Sequence, residues 1–228
     1  MAEATIQNVG ACVFDAYGTL FDFNAATASC RDALGDKAAP LSAAWRDKQL
    51  QYTWLRSLMG KHADFWQVTG EALDYAMDSL DLDDPALRDR LLNCYLELEA
   101  FAEVPETLER LKSGGLKTAI LSNGSPQMLA AAVKGAGIGD LLDAVLSVEE
   151  VGVFKTHPSV YQLAVDWLGG AASEIRFQSS NSWDAYAGSA FGFQVVWVNR
   201  YGQKPERMPG QPNAEITTLA DLPPLLGL

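Results

Sequence analysis

Short apolar runs alternate with amphipathic stretches over most of the chain, and the two patterns predict different elements. Apolar runs of about four to eight residues indicate buried strands, whereas apolar residues that recur every three or four positions indicate helices. Strands are predicted at 9–15, 116–121, 144–147, 175–179 and 194–198. Helices are predicted at 105–113, 126–136, 159–168, 183–191 and 219–226. This alternation predicts an α/β fold with a Rossmann-like, doubly wound parallel sheet.

The segment 23–100 has a different pattern, without a second strand. Large apolar residues recur at helical spacing over 42–59 and 63–80. A third helix is predicted to begin at Pro85, with Asp84 as its N-cap, and to run toward residue 99. The segment is therefore expected to be all-helical.

The first strand must pair with the later ones, because a single strand is not stable alone. The helical segment then becomes an insertion over the carboxyl edge of the sheet. The sequence predicts a Rossmann-like catalytic core of residues 1–22 and 101–228 and a helical cap domain of residues 23–100. A cleft between two such domains is a usual place for a small-molecule site.

Composition narrows the range of partners. The 228-residue chain has 17 basic and 29 acidic residues, a formal net charge of −12. A surface this acidic repels nucleic acid and anionic membranes, so neither is expected as a partner. Cys12, Cys30 and Cys94 have no metal-binding spacing and are expected to be free thiols in a reducing cytoplasm. We expect no signal peptide and no membrane span.

Candidate chemistry lies where the predicted strands end. Asp15 ends the first strand and is followed by a Gly-Thr turn, which is how an open α/β sheet presents a carboxylate at its ligand-binding edge. Tyr17, two residues later, is not a second acid, which argues against phosphate chemistry. Thr19 belongs to the same turn. The later strand ends and their loops bring further candidates to the same edge: Ser122, Asn123, Lys155, Tyr161, Ser179, Ser180, Asn181 and Asp184.

Each candidate also has a structural interpretation. An aspartate at a strand end is often a turn residue, and Arg46 or Lys155 taken alone would be a solvated surface cation. Large aromatic side chains at helical spacing in the segment 23–100 are first of all packing residues. The functional interpretation rests on the convergence of these residue types at one sheet edge.

Several motifs in register carry a resemblance to a known family. They are DAYGTLFD at 15–22, WRDKQL at 45–50, YTWLRSLM at 52–59, ADFW at 63–66, LSNGS at 121–125, KTHPSVY at 155–161, SSNSWDA at 179–185 and VWVNR at 196–200. Together they resemble the haloacid dehalogenase superfamily. Most of its members are magnesium-dependent phosphohydrolases that carry an acid where this chain has Tyr17. They also carry paired acids in the last loop, where this chain has Ser180 at the position of the first acid and Asp184 as the single acid that remains. These departures resemble the 2-haloacid dehalogenase branch.

The resemblance implies roles for individual residues. Asp15 would be the nucleophile, and Arg46 with Asn123 would accept the halide. Asp184 would activate water, with support from Ser179, Asn181 and Thr19. The implied catalytic residues are Asp15, Thr19, Arg46, Ser122, Lys155, Tyr161, Ser179, Asn181 and Asp184. The implied substrate-binding residues are Ala16, Tyr17, Arg46, Leu50, Phe65, Ser122, Asn123 and Trp183. Of these, Tyr17, Leu50, Phe65 and Trp183 would form the wall of the pocket.

The implied reaction is hydrolysis of (S)-2-haloalkanoic acids to (R)-2-hydroxyalkanoic acids through an aspartyl ester, with inversion at C2. Haloacid, halide and water are the implied small-molecule partners, no metal or cofactor is expected, and pairing of cap helices implies a homodimer. Two alternatives stay open at this stage. One is a magnesium-dependent phosphatase of the same superfamily, and the other is a non-catalytic carboxylate-binding protein on the same fold.

Overall fold

The computed structural model describes residues 9–23 and 30–228. At its centre is a six-stranded sheet in which every neighbouring pair is parallel, with the strand order β3-β2-β1-β4-β5-β6. The strands are β1 (Ala11–Phe14), β2 (Lys117–Ser122), β3 (Ala144–Ser147), β4 (Ile175–Ser179), β5 (Gln194–Val198) and β6 (Ala214–Ile216). The predicted α/β fold is confirmed. The order reverses beside β1, and such a reversal opens a crevice at the carboxyl edge.

Helices of the sheet domain follow the strands in alternation. They are α5 (Val104–Ser113), α6 (Pro126–Ala136), α7 (Pro158–Leu168), α8 (Ser182–Phe191) and α9 (Leu222–Leu225). Helices α7 and α8 cover the face that carries Phe177, whose ring packs on Tyr161 and lies against Gly188. The four residues of β1 are fully buried, so the strand that leads to Asp15 is held on both sides by the core.

Between β1 and α5 the chain forms a second layer of helices. These are α1 (Arg31–Leu34), α2 (Ala38–Met59), α3 (Phe65–Asp78) and α4 (Pro85–Asn93). The long helix α2 packs mainly on α3. Its buried positions are four residues apart, at Leu41, Trp45, Gln49 and Thr53, as a single helix face requires. Two of these four side chains are polar.

Several predicted bounds agree closely with the structure and others do not. Helix α2 begins at Ala38 rather than at 42, because Pro40 is tolerated in a first helical turn. The helix predicted to run toward 99 ends at Asn93 and continues as a 3₁₀ turn over Cys94–Leu96. The predicted C-terminal helix 219–226 is a 3₁₀ turn, Leu219–Asp221, followed by α9.

The short strand β6 was not predicted from the sequence, because its three residues are too few to show an alternating pattern. The domain bounds 1–22, 23–100 and 101–228 stay a prediction, and residues 1–8 and 24–29 lie outside the described part of the chain. Within that described part, no helix is long and apolar enough to cross a membrane.

Candidate active site

Asp15 is fixed in the turn that follows β1. Its backbone N–H donates to the carbonyl of Gln178 at 2.9 Å, which extends the pairing of β1 with β4 by one residue. The carbonyl of Ala16 then accepts from the N–H groups of Leu20 and Phe21 and closes the turn. Gly18 has a φ of +82°, and a Cβ there would lie 3.2 Å from the Ser180 hydroxyl. The turn therefore requires glycine at this position.

Both carboxylate oxygens of Asp15 are engaged. Oδ1 accepts from Lys155 Nζ at 3.0 Å. Oδ2 accepts from Asn181 Nδ2 at 2.8 Å and from Thr19 Oγ1 at 3.1 Å, and Ser179 Oγ lies 3.5 Å away. Asp15 is 6 % exposed. These donors hold the carboxylate in one orientation at the carboxyl edge of the sheet.

A second buried carboxylate lies on the other side of Lys155. Asp184, near the start of α8, accepts from Lys155 Nζ at 2.8 Å through Oδ2 and from the Tyr161 hydroxyl at 2.8 Å through Oδ1. All three side chains are at most 1 % exposed. Lys155, Asp15 and Asp184 together thus carry one positive and two negative charges when ionised, almost without water.

Burial and charge act against each other on these groups. Burial lowers the pKa of Lys155, but the carboxylates of Asp15 and Asp184 outweigh it, so this pKa lies above its ordinary value. Burial raises the pKa of Asp184, and the negative charge of Asp15 adds to the effect while Lys155 opposes it. The pKa of Tyr161 is raised well above its usual range by burial and by Asp184. Tyr161 is consequently a neutral donor.

The loop that carries Lys155 is attached to two other parts of the molecule. The backbone N–H of Lys155 donates to Asn123 Oδ1 at 3.0 Å, just beyond the end of β2. The N–H of Phe154 donates to the Ser57 hydroxyl on α2 at 3.1 Å. The ammonium group is therefore positioned by contacts to both the sheet and the cap helices.

Arg46 reaches the site from α2 and joins it through Asn181. Its Nη2 donates to Asn181 Oδ1 at 2.8 Å, while the Nδ2 of the same amide donates to Asp15. Its Nη1 donates to Gln49 Oε1 at 2.8 Å, and its guanidinium lies 5.0 Å from the centre of the Phe23 ring. The sequence interpretation had Asn123 beside Arg46, but the amide bound to Arg46 is that of Asn181, because the Asn123 oxygen is used by Lys155.

The supporting polar groups also differ from the sequence interpretation. Thr19, Ser179 and Asn181 were expected to support Asp184, whereas their hydrogen bonds go to Asp15. Ser122 is buried at the end of β2, and its hydroxyl accepts from the N–H of Gly124 at 3.1 Å. The hydrogen bonds from Thr19, Ser179 and Asn181 therefore fix the carboxylate of Asp15. The hydrogen bonds to the carboxylate of Asp184 come from Lys155 and Tyr161.

Tyr17 forms an apolar wall where an acid would stand in a phosphatase. Its ring centre lies 5.8 Å from that of Phe65 and 6.0 Å from that of Tyr95. Burial raises the pKa of its hydroxyl, so the group stays neutral. A Cβ at Gly124 would come within 2.8 Å of that hydroxyl. Gly124 therefore provides the space that the Tyr17 ring occupies.

Two predicted wall residues lie elsewhere around the site. Trp183 is half-buried and packs edge-to-face on Trp54, with ring centres 5.7 Å apart. Leu50 is half-buried on α2, next to Gln49. Trp183 thus lies where α2 meets the sheet domain. Among the predicted wall residues, the direct ring contact is that of Tyr17 with Phe65.

Two contributing residues were not singled out by the sequence interpretation. They are Gln49 and Tyr95, which form a polar pair behind Arg46. Ser180, which the sequence did bring to this edge, donates its N–H to Thr19 Oγ1 at 2.8 Å. A signal for Gln49 was present, because it occupies the buried i, i+4 face of α2 between Trp45 and Thr53. No sequence signal distinguished Tyr95 from an ordinary packing residue.

The side chains at this edge do not form a good site for a divalent cation. Asp15 and Asp184 both bind the same lysine ammonium, at 3.0 and 2.8 Å, so a positive charge already lies between the two carboxylates. Ser180 stands in the loop after β4 and donates its hydroxyl to the Gly18 carbonyl at 2.5 Å. Across residues 9–23 and 30–228, no group of three His, Cys, Asp or Glu side chains is arranged to hold a metal.

The chain is similar in sequence and in fold to several known proteins. Residues 9–192 match the family described as haloacid dehalogenase-like hydrolases. The chain is 44 % identical to (S)-2-haloacid dehalogenase 4A of Burkholderia cepacia, over 97 % of this chain and 96 % of that protein. It is 47 % identical to (S)-2-haloacid dehalogenase of Pseudomonas sp. strain YL, over 90 % and 89 % of the two chains.

A solved structure adds a chemical observation. It is L-2-haloacid dehalogenase from Xanthobacter autotrophicus with chloropropionic acid covalently bound. It superposes with a TM-score of 0.89 at 37 % identity, covering 96 % of this chain and 98 % of that one. A protein with the same fold is thus known with chloropropionic acid covalently bound.

Proposed function

This chain belongs to the haloacid dehalogenase-like hydrolases, and on that premise we propose that it hydrolyses (S)-2-haloalkanoic acids to (R)-2-hydroxyalkanoic acids. The observation that carries the proposal is the environment of Asp15. Its carboxylate is held between Lys155 and Asn181, and Tyr17 rather than an acid follows it. This arrangement supplies a fixed nucleophile without a general acid for a phosphate leaving group.

The first step forms a carbon–oxygen bond and breaks a carbon–halogen bond. An oxygen of Asp15 attacks C2 from the side opposite the halogen, the halide leaves with the bonding electron pair, and C2 inverts. Arg46 accepts the departing anion, since its guanidinium stays charged and offers several N–H donors. Ser122 and the N–H groups after Asp15, at Ala16 and Tyr17, bind the substrate carboxylate.

The second step hydrolyses the ester. Asp184 takes a proton from a water molecule, whose oxygen attacks the carbonyl carbon of the Asp15 ester. The tetrahedral intermediate then releases the 2-hydroxy acid and restores the Asp15 carboxylate, which now carries one oxygen from water. Lys155 and Tyr161 hold Asp184 for this role. The sum is haloacid and water giving hydroxy acid, halide and a proton.

The oligomeric state and the cellular location of the protein are two further proposals. We propose a homodimer that pairs through the cap helices. In support, α2 presents apolar side chains to solvent at Leu55, Leu58 and Met59, which are 50 %, 85 % and 62 % exposed. We propose that the protein acts in the cytoplasm.

The test is halide release from each enantiomer of 2-chloropropionate, with a chelator present, for the parent and for Asp15→Asn. We expect chloride and (R)-lactate from the S enantiomer only, insensitive to chelator and reduced at least about a thousandfold in the variant. A single turnover in ¹⁸O-water should label Asp15 and not the product hydroxyl. Magnesium-dependent cleavage of phosphate esters without halide release would instead establish the phosphatase, and binding without turnover the non-catalytic protein.

A further inference from the structure

Gln49 is a fully buried polar side chain on a helix face that otherwise packs against the cap interior. It lies one helical turn after Trp45 and faces α3. A buried primary amide needs partners for both its N–H donors and its carbonyl oxygen. The partners of Gln49 therefore reveal which way the amide points.

Thr69 on α3 sets that direction. Its hydroxyl donates to the carbonyl of Phe65 at 2.6 Å, so it can only accept from Gln49. Gln49 Nε2 donates to this hydroxyl at 2.8 Å and lies 3.4 Å from the hydroxyl of Tyr95. The carbonyl end of the amide is left facing Arg46, whose Nη1 lies 2.8 Å from Oε1.

Arg46 is thus held by neutral oxygens. Gln49 Oε1 binds one terminal nitrogen, and Asn181 Oδ1 binds the other at 2.8 Å. None of the ion pairs within residues 9–23 and 30–228 includes Arg46. A carboxylate in place of either amide would hold the guanidinium equally well but would cancel its charge.

We infer that Gln49 is a positioning residue for halide departure. It fixes the guanidinium of Arg46 toward the nucleophile without neutralising it, and Thr69 fixes Gln49 in turn. This inference rests on the proposed dehalogenation and names the group that prepares its halide acceptor. Gln49 acts through Arg46 and does not itself contact substrate.

The test compares Gln49→Met with the parent on (S)-2-chloropropionate and (S)-2-bromopropionate. kcat/KM covers the steps up to halide loss, and chloride, the poorer leaving group, depends more on a well-placed cation. We expect kcat/KM for the chloride substrate to fall about 10- to 100-fold and that for the bromide substrate to fall less. Gln51→Met, on the exposed side of the same helix, is the matched control and should change neither value.

An equal loss on both substrates, or no loss, would overturn the inference, because a general structural defect does not distinguish the two halogens. Thr69→Val should shift the bromide-to-chloride ratio in the same direction but less, and Thr69→Ser, which keeps the hydroxyl, should restore it. This pair decides the matter if Gln49→Met does not fold. Failure of the parent to release either halide would refute the proposed function itself, whereas an active parent with an unchanged ratio in the variants refutes the positioning role alone.

Discussion

The two sides of the site treat charge in opposite ways. On the sheet side, Lys155 lies between Asp15 and Asp184 at 3.0 and 2.8 Å, and all three are almost fully buried. On the cap side, Arg46 is half-buried and its hydrogen bonds go to the uncharged amides of Gln49 and Asn181. On the sheet side the cation is paired with two carboxylates, whereas the cap side keeps a cation without an ionic partner among the described residues.

This difference indicates on which side of the site the same residues determine both the stability of the fold and the reaction. A buried charge that loses its partner is costly to the folded state, so the sheet-side residues should serve stability and catalysis together. A half-buried arginine bound to neutral groups contributes little to stability. The cap side should therefore be open to substitutions that alter the reaction without unfolding the protein.

The largest expected effect is that of Lys155→Met, which leaves the carboxylates of Asp15 and Asp184 buried without a cation. We expect the free energy of unfolding to drop by about 3–5 kcal/mol, and halide release to be lost. Urea denaturation and a halide assay measure both. Lys134→Met, at an exposed position of α6, is the control and should change neither. A loss of activity with unchanged stability would contradict the view that the sheet side serves both.

Arg46→Lys tests the other half of the comparison. The charge remains, but the planar group that binds two amides at once is lost. We expect kcat/KM for a 2-chloroalkanoate to fall about 100-fold, while the free energy of unfolding changes by less than about 0.5 kcal/mol. Arg90→Lys on the exposed face of α4 serves as control. If Arg46→Lys destabilises the fold as much as Lys155→Met does, the two sides are not distinct.

The smallest expected effect is that of Tyr161→Phe on the pH dependence of kcat. The pKa of Asp184 is raised by burial, and the hydrogen bond from Tyr161 to the ionised carboxylate lowers it; removing that bond raises it further. Since the proposed water-activating step needs ionised Asp184, the acid limb of the kcat profile should move to higher pH. At the acid end kcat should fall about tenfold more than on the plateau. A uniform loss at every pH would count against Asp184 as the base, and Tyr75→Phe on the surface should leave the profile unchanged.

The same variant reports on alkaline stability. The folded-state pKa of Lys155 lies above its ordinary value of 10.5, so its contribution is complete below that pH and is lost as the pH rises through the folded value. Tyr161 stays protonated in the fold above its ordinary pKa of 10.0, whereas the unfolded chain ionises there, so stability again falls as the pH rises. Tyr161→Phe should make this alkaline decline less steep, as thermal unfolding between pH 8 and 11 would measure.

The sequence predicted those elements whose ends carry chemical signals. Helix α6 was predicted with its observed bounds because Ser125 caps it, Pro126 begins it and Gly137, with a φ of +66°, ends it. Helix α2 was predicted to start too late, since it lacks a side-chain cap and contains Pro40 in its first turn. Strand β6 is shorter than the window in which a pattern can be read.

For the site, the sequence indicated residue types but not partners. Strand order brings Asp15, Lys155 and Asp184 to one edge, and this much follows from the α/β rhythm. That Asn181 connects Arg46 to Asp15, rather than supporting Asp184, depends on where α2 lies over the sheet, across 135 positions of sequence. Hydrogen-bond direction in the amides of Gln49 and Asn181 likewise depends on neighbours that no local pattern reveals.

The close fit of Tyr17 against Gly124 restricts how this site could have diverged from its relatives. A single exchange of Tyr17 for aspartate would put a carboxylate among Phe65, Tyr95 and the empty space beside Gly124, with Ser180 still in place of a metal-binding acid. Such an intermediate would lose the apolar wall and gain no competent phosphatase. Conversion of this site to phosphate chemistry therefore needs exchanges at Tyr17 and Ser180 together, because neither exchange alone supplies both acids.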